Sequence, residues 1–288
     1  MVMGGRIMKK LILFAFASFI TFSACQKASQ VGSTGSDDLA KVIEKTFTAQ
    51  CESKVKTALN NTSVMWQSGD MITILWDGGS VDAAASPYNY NSSAEFTVTV
   101  DEASEYFAVC PAGAENTSGE GLFTVTIPEN QVGTFADASI LCAKATDDCQ
   151  LAFKHLAGYL EFTTDTPGVV TVSGSSSSYI AGDVTVTGFD ANGIPQYTPA
   201  PKHVSVSVDA KSSGTYYLAL LPEAKLDFLS ITLVDGSVKH YALSTNGIHL
   251  KRGKVVGLGN ITGKLTDKPL YPVFIEDFDV LVEFDFEF

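Results

Sequence analysis

The sequence predicts an all-β protein built from two consecutive antiparallel β-sandwich domains. Apolar residues alternate with threonine or serine at a period of two in several segments, as expected for strands with one buried face. Turn sequences separate these segments at short intervals, with no long helical pattern between them. Strand-length segments in this arrangement are typical of antiparallel sandwiches and barrels.

The candidate strands follow one another along the chain. Their apolar faces are Phe96, Val98 and Val100; Phe123, Val125 and Ile127; Val184 and Val186; and Val204, Val206 and Val208. Turn signals rich in Gly, Asp, Asn and Ser lie at residues 77–80, 115–121, 190–193 and 235–236. One segment, residues 38–45, has short helical character.

The first residues have the pattern of a secretory signal peptide. Three basic residues precede an uncharged apolar run at residues 11–20, which is too short to remain in a bilayer as a spanning helix. Ser23 and Ala24 then stand before Cys25, as in lipoproteins. We expect residues 1–24 to be removed and Cys25 to carry lipid, giving an outer-membrane lipoprotein on the surface of a Gram-negative cell. An ordinary signal peptide cleaved near Ala24 is the alternative.

The remaining chain is long enough for two domains of ordinary size. Residues 25–37, rich in Ser, Gly and Gln, form a flexible tether. The first sandwich is expected at residues 38–166 and the second at 167–264, because a Pro-Gly pair at the boundary follows a long apolar strand. Residues 265–288 form an acidic and aromatic tail.

The predicted mature chain is strongly acidic. The formal net charge is −13, and removal of residues 1–24 takes away three positive charges and no negative ones, which leaves −16. Arg6 and Arg252 are the only arginines in the sequence. Because an acidic surface repels phosphates, we expect no nucleic-acid partner.

No motif in the sequence predicts catalysis. The nucleophile-elbow, zincin and phosphate-loop patterns are absent, and the four histidines do not cluster with one another or with the cysteines. The cysteines include no CxxC pair of the kind that favours zinc. We therefore expect no enzyme activity, no cofactor and no metal.

Four cysteines remain once Cys25 is assigned to the lipid, and an oxidising compartment would allow them to pair in three ways. They are Cys51, Cys110, Cys142 and Cys149. Cys142 and Cys149 flank a segment short enough for one hairpin turn. A disulfide between these two is therefore the first expectation.

Aromatic residues suggest an alternative function. Trp66, Trp76, Tyr88 and Tyr90 could stack on sugar rings, and the chain would then be a monomeric surface lipoprotein that binds glycan. Strands are rich in aromatic residues whether or not a ligand exists. Packing in the core is the other role for these side chains.

The end of the chain alternates between apolar and acidic residues. The apolar positions are Phe278, Val280, Val282, Phe284, Phe286 and Phe288, and the intervening positions are acidic apart from Leu281. A strand this apolar on one face has to complete either its own second domain or the groove of a neighbour.

Several short motifs, in order, resemble the fimbrillin-like (type V pilin) lipoprotein family from about Phe47 to Asn260. They are Phe47-Thr48-Ala49, Lys56-Thr57, Trp66-Gln67-Ser68-Gly69-Asp70 with Met71-Ile72-Thr73-Ile74, Tyr106-Phe107-Ala108 with Pro111, residues 151–156, Tyr216-Tyr217 with Leu220-Leu221-Pro222, and residues 250–254.

The resemblance implies two transthyretin-like sandwiches in a lipoprotein precursor whose first strand a protease removes. The vacated groove then takes a strand from the next subunit, which is β-strand addition. The implied function is a structural or adhesive subunit of a cell-surface fimbrium, as stalk, tip or anchor. Its partners would be other fimbrial subunits, the outer membrane through the lipid, and a host protein or glycan receptor.

The sequence departs from the family at both ends. No arginine lies between residues 7 and 251, so Lys54 or Lys56 would be the processing site unless the first strand is retained. The usual closing strand with a terminal tryptophan is also missing after Asn260. We therefore expect residues 278–288 to be the donor strand and residues 47–51 to fill the equivalent groove in the precursor. A Cys51–Cys110 disulfide would be incompatible with that exchange.

Overall fold

The structure is a computed structural model and describes residues 41–52, 66–86, 92–117, 121–174, 179–236, 238–244, 247–268, 271–275 and 278–282. Within these ranges the chain is almost entirely β-strand, which confirms the predicted all-β class. The helical elements of the described residues are α1 (Phe135–Ala138) and a 3₁₀ turn at Thr262–Lys264. None of their helices has the length and apolar character needed to cross a membrane.

The strands fall into three groups along the chain. The first group is β1 (Val42–Cys51), β2 (Met71–Trp76), β3 (Gly79–Ala84), β4 (Ser93–Asp101), β5 (Phe107–Cys110), β6 (Glu115–Asn116), β7 (Phe123–Ile127), β8 (Asn130–Gln131), β9 (Leu141–Lys144) and β10 (Gln150–His155). The second is β11 (Gly158–Thr164), β12 (Gly168–Ser173), β13 (Ala181–Phe189), β14 (Pro195–His203), β15 (Ser205–Ala210), β16 (Gly214–Leu220), β17 (Lys225–Leu226), β18 (Leu229–Asp235), β19 (Val238–Ser244), β20 (Ile248–His249) and β21 (Val255–Asn260). The tail contributes β22 (Tyr271–Ile275) and β23 (Phe278–Val282).

Seven strands form the largest sheet, in the order β3-β2-β5-β9-β10-β1-β4. β1 lies parallel to β10, whereas the other neighbours in the sheet are antiparallel. β4 shows the predicted alternation, with Phe96, Val98 and Val100 buried and the residues between them exposed. The period of two therefore located this strand correctly.

The inner face of this sheet encloses the smaller of two hydrophobic cores. Trp66 is at its centre, with its ring edge-on to Phe96 at a centroid distance of 5.4 Å and to Phe153 at 5.5 Å. Edge-to-face aromatic pairs of this kind add to the stability gained from burial alone. This core is filled mainly by aromatic and aliphatic side chains from β1, β2, β4 and β10.

The larger core lies among three further sheets, with the orders β19-β18-β12-β15-β8, β14-β13-β7-β6 and β16-β11-β21. The outer faces of β5 and β9 also contribute to it, through Phe107, Val109 and Cys142. β5 and β9 are therefore largely buried on both faces and stand between the two cores. The two cores therefore lie on opposite faces of these shared strands.

Several strands pair across the predicted domain boundary between residues 166 and 167, so the two halves of the chain are not separate sandwiches divided there. β6 and β7 pair into one sheet with β13 and β14, and β8 pairs with β15, so residues 115–131 pack with the second half of the chain. β11 also pairs with β16 and β21. A period of two shows that a strand has one buried face but does not show which sheet it joins.

Two further expectations need correction. The short helical segment at residues 38–45 is wrong over its described part, because β1 begins at Val42 and pairs with β4 from Val42 onward. Tertiary pairing here overrides local helix propensity. Three strand pairs are parallel rather than antiparallel: β1 with β10, β11 with β21, and β15 with β8.

Candidate functional site: the first strand and its groove

β1 fills a slot in the large sheet, and we call that slot the β1 groove. One wall is β4, whose register with β1 runs from Val42↔Asp101 to Gln50↔Ser93. The other wall is β10, which pairs only with the second half of β1, from Thr48↔Gln150 to Cys51↔Phe153. The first half of β1 is thus bound on one edge and the second half on both.

Buried side chains anchor the second half of β1 in the groove. Phe47 and Ala49 are fully buried in the smaller core, whereas Val42 is 59% exposed. The Phe47 ring lies edge-on to Tyr106 with centroids 5.5 Å apart. The Tyr106 hydroxyl donates to the Asp101 carbonyl oxygen at 2.7 Å and accepts from the Ala103 N–H at 2.9 Å. These bonds hold one wall of the Phe47 pocket in place.

Backbone hydrogen bonds complete the fit. The Thr48 N–H donates to the Cys149 carbonyl oxygen, and the Glu52 N–H donates to the Phe153 carbonyl oxygen, each at 3.0 Å. On the outer surface, the hydroxyls of Thr46 and Thr97 are 2.9 Å apart. Removing β1 would therefore leave unpaired backbone groups on two strands and an open apolar pocket between them.

A polar cluster lies where β1 ends. The Glu52 carboxylate is 3.7 Å from both the Lys154 Nζ and the Arg252 Nη1, and it accepts from the His155 N–H at 3.4 Å. The Arg252 Nη1 also donates to the His155 carbonyl oxygen at 2.6 Å. Because Arg252 lies between β20 and β21, this cluster ties the end of the first strand to the second half of the chain.

His155 is the buried member of that cluster. Its Nδ1 lies 2.8 Å from the Tyr159 hydroxyl. Burial lowers the pKa of His155 to about 4, an effect that Glu52 opposes and Arg252 reinforces. The imidazole is therefore neutral at pH 7. Its hydrogen bond to Tyr159 links the end of β10 to β11 within the fold.

The predicted lipidation and processing sites lie outside the described residues. These are Cys25, the whole of residues 1–37, and Lys54 and Lys56. Residues 53–65 connect β1 to the remainder of the fold and contain both lysines. A cut at either lysine would leave β1 held by hydrogen bonds and packing alone.

The tail strand is described in part. β23 contains Phe278, Val280 and Val282, whereas Phe284, Phe286 and Phe288 lie outside the described residues. β23 pairs antiparallel with β22, with Val280 opposite Val273. The tail therefore folds back as a hairpin, a partner that the sequence pattern did not predict because Pro272 breaks the alternation of the preceding segment.

The structure places the two cysteines of the predicted Cys142–Cys149 disulfide in different cores. β9 and β10 are joined by a short turn as expected, but Cys142 lies opposite Lys154 in the register, and Cys149 belongs to the turn. Cys142 is buried in the larger core and Cys149 in the smaller one. Because the two side chains lie on opposite faces of the sheet, hairpin spacing alone was a poor guide to pairing.

Two of the aromatic residues considered for sugar binding are inside the fold. Trp66 is 1% exposed and Trp76 is 7% exposed, and both pack in the smaller core. Tyr88 and Tyr90 lie outside the described residues. Neither tryptophan can serve as a surface platform for a sugar ring.

A second apolar groove lies beside β21, next to the larger core. It has a volume of about 280 Å³ and is lined by Leu229, Ile231, Ala242, Leu243, Ile248, Val256, Gly257, Leu258, Ile261 and Lys264. Among the described strands, β21 pairs only with β11. Among the described residues, His, Cys, Asp and Glu side chains form no cluster that could bind a metal ion.

Comparisons with known proteins give remote matches. No family model and no curated protein matches the chain. A proposed cell adhesion protein of Bacteroides ovatus is 13% identical, with 81% of this chain and 98% of the other covered and a TM-score of 0.47. A proposed cell adhesion protein of Bacteroides fragilis is 15% identical, with 84% of this chain and 98% of the other covered and a TM-score of 0.40. A fimbrial assembly protein of Parabacteroides distasonis is 8% identical, with 85% of this chain and 100% of the other covered and a TM-score of 0.34. At these identities and TM-scores the matches carry no inference about function.

Proposed function

We propose that this chain is a non-catalytic structural or adhesive subunit of a cell-surface fimbrium, exported as an outer-membrane lipoprotein and joined to its neighbours by β-strand addition. The observation that supports this most is the placement of β1. It is the first described strand, it fills a groove between β4 and β10, and residues 53–65 are its only connection to the following strands. The sequence resemblance over residues 47–260 points to the same mode of assembly.

In this scheme the precursor keeps its own groove closed. Burial of a side chain such as Phe47 stabilises by roughly 1.5–3 kcal/mol, and each ladder hydrogen bond adds about 0.5–1.5 kcal/mol. A cut at Lys54 or Lys56 removes the covalent link but not these interactions. β1 would then leave only when an incoming strand supplies equivalent interactions.

The tail has the chemistry of such a strand. Its six apolar residues at a period of two match a groove whose pockets accept alternate side chains, as Phe47 and Ala49 do in β1. The β22–β23 hairpin keeps part of this strand paired in the free chain, which limits aggregation through an exposed edge. Assembly would exchange that pairing for pairing with the neighbour's groove.

Deletion of residues 278–288 tests this function. Polymers extracted from cells should run as a ladder on denaturing gels without heating and collapse to a monomer on heating. The deletion should abolish the ladder and leave a folded, lipidated monomer. A matched control replaces acidic residues of the other face, with Asp279→Asn and Glu283→Gln, and should keep the ladder. If the truncated protein fails to fold, the tail belongs to its own second domain and the donor role is wrong.

A further inference from the structure

The sheet edges around the larger core differ in how they are protected from another strand. β14 is an edge strand that carries Pro195, Pro199 and Pro201, and proline has no N–H to offer a further strand. β19 is also an edge strand, and Thr266 covers it through two backbone hydrogen bonds of 2.7 Å with Tyr241. β21 contains no proline, and among the described residues its backbone pairs with β11 alone.

The second apolar groove opens beside this free edge, and we call it the β21 groove. Val256, Gly257 and Leu258 of β21 line one side of it, and Ala242 and Leu243 of β19 line the other. An apolar cavity of about 150 Å³ is large enough to hold a benzene ring. At about 280 Å³, the β21 groove has room for at least one phenyl side chain.

The chain passes from β21 to β19 along the rim of this groove. Lys264, in the turn after β21, belongs to the groove lining, and Thr266 is already paired with Tyr241. The Thr266 hydroxyl donates to the Lys268 carbonyl oxygen at 2.9 Å, so the chain is not fully extended as it leaves the rim. The segment that follows therefore starts close to the groove.

The β22–β23 hairpin then brings the chain back towards that rim. Tyr271 lies opposite Val282 in its register, and Cα atoms paired in this way are about 5 Å apart. Because five residues span at most about 18 Å, Val282 lies within roughly 23 Å of Thr266. Six further residues, 283–288, can cover about 20 Å when extended. This segment is therefore long enough to reach the groove of its own chain.

The same segment has the side-chain pattern that the groove requires. Its phenylalanines alternate with carboxylates at a period of two: Phe284, Phe286 and Phe288 with Glu283, Asp285 and Glu287. A strand added to the edge of β21 would place alternate side chains in the groove and the others in solvent. Lys264, the charged residue of the described lining, donates to the Leu258 carbonyl oxygen at 2.7 Å and has further N–H groups for a carboxylate.

We propose that residues 284–288 dock in cis, as a strand on the free edge of β21 with phenylalanine side chains in the β21 groove. Because groove and segment belong to one chain, the segment is present at a high effective concentration. The docked state withholds the end of the tail from other molecules. Its consequence for assembly rests on the proposed function: a neighbour's β1 groove has to compete with the β21 groove for the same phenylalanines.

Photo-cross-linking tests the docking. Phe286 is replaced by p-benzoylphenylalanine in the full chain, the monomer is extracted from membranes and irradiated, and the products are mapped by mass spectrometry. Mixing ¹⁵N-labelled with unlabelled chains separates links within a chain from links between chains. We expect links within the chain to residues 242–243 and 256–258. The matched control carries the photo-reactive residue at Asp285, on the other face of the strand, and should not link to these residues.

A groove variant gives a second measurement. Leu258→Asp places a carboxylate in the groove and should lower the yield of the link from position 286 roughly tenfold, because a charge beside phenyl rings is poorly solvated. Val132→Asp is the control, since Val132 is 68% exposed and does not line the groove, and it should keep the yield. If Leu258→Asp unfolds the chain, as seen by circular dichroism, the cross-link map decides alone.

The outcomes separate this proposal from the proposed function. Links from position 286 to the β21 groove of another chain, links elsewhere, or no links in the monomer would overturn docking in cis. So would an unchanged yield in a folded Leu258→Asp chain. Fibres in which position 286 links to a neighbour's β1 groove, from a monomer without the cis link, would support the proposed function and reject the docking. Fibres that keep only the cis link would support the docking and reject the donor role.

Discussion

At the scale of single residues, one aromatic side chain contributes much of the packing that keeps β1 in its groove. Phe47 is fully buried and contacts Tyr106 edge-on, and Tyr106 is itself fixed by two hydrogen bonds to the backbone of residues 101 and 103. Because the pocket is built from a restrained ring, it collapses little when Phe47 is truncated. The cost of truncation should therefore be high for this site.

Phe47→Ala should lower the free energy of unfolding by about 3–5 kcal/mol, because it combines lost burial with a residual cavity. Urea unfolding followed by tryptophan fluorescence measures it, since Trp66 lies in the same core. Val42→Ala on the exposed half of the same strand is the control and should change stability by no more than about 0.5 kcal/mol. Equal effects of the two substitutions would show that Phe47 does not anchor the strand.

His155 makes stability depend on pH. Its pKa is about 4 in the fold and near 6.5 in an unfolded chain, so the unfolded state binds more protons between these values. Stability is therefore fully present above about pH 6.5, falls as pH drops towards 4, and changes no further below that for this group.

Because of His155, the free energy of unfolding should be roughly 2–3 kcal/mol lower at pH 4.5 than at pH 7. His155→Gln retains a polar side chain but does not titrate. The difference between the two pH values should shrink by that amount in the variant, as measured by urea unfolding at both. An unchanged pH dependence would mean that the pKa of His155 is the same in the folded and unfolded states.

At the scale of elements, the sequence pattern was most informative for strands with one buried face and one solvent-exposed face. β4 and β7 both alternate as predicted. It was least informative about partners: nothing in Phe123, Val125 and Ile127 indicates that β7 pairs with β13, some sixty residues later. The helical character predicted for residues 38–45 was wrong at the start of β1, because pairing with β4 decides its conformation.

The candidate site was predictable to a similar degree. Residues 47–51 were expected to fill a groove, and the structure places Phe47 and Ala49 in one. The Glu52 cluster with Arg252 was missed, since its members are about 100 and 200 residues apart.

A separate peptide should restore the stability that is lost when β1 is deleted. A variant lacking residues 41–51 should be less stable than the full chain, and a peptide of residues 278–288 should raise its melting temperature in a concentration-dependent manner. A peptide with Phe284 and Phe286 replaced by Asp is the control and should have no effect. Stabilisation by both peptides, or by neither, would argue against a donor role for the tail.

At the scale of the whole molecule, the two cores are coupled through β5 and β9, which are largely buried on both faces. The Glu52 cluster adds a second link, because it joins the end of β1 to Arg252. Replacing the first strand would therefore change contacts in both halves of the chain. The formal net charge of −13 for the full chain means that two copies of it repel each other at long range.

The most direct test of strand exchange is a cross-link from the groove wall. Thr97 is exposed on β4 and faces Thr46 of β1, so a photo-reactive residue at position 97 reports which strand occupies the groove. The measurement compares fibres with the monomeric precursor, both carrying the photo-reactive residue at position 97. In fibres we expect cross-links between position 97 of one subunit and residues 278–288 of another. In the monomeric precursor we expect cross-links to residues 42–51 of the same chain. Fibres in which position 97 still cross-links only to residues 42–51 of its own chain would contradict assembly by strand addition at this groove.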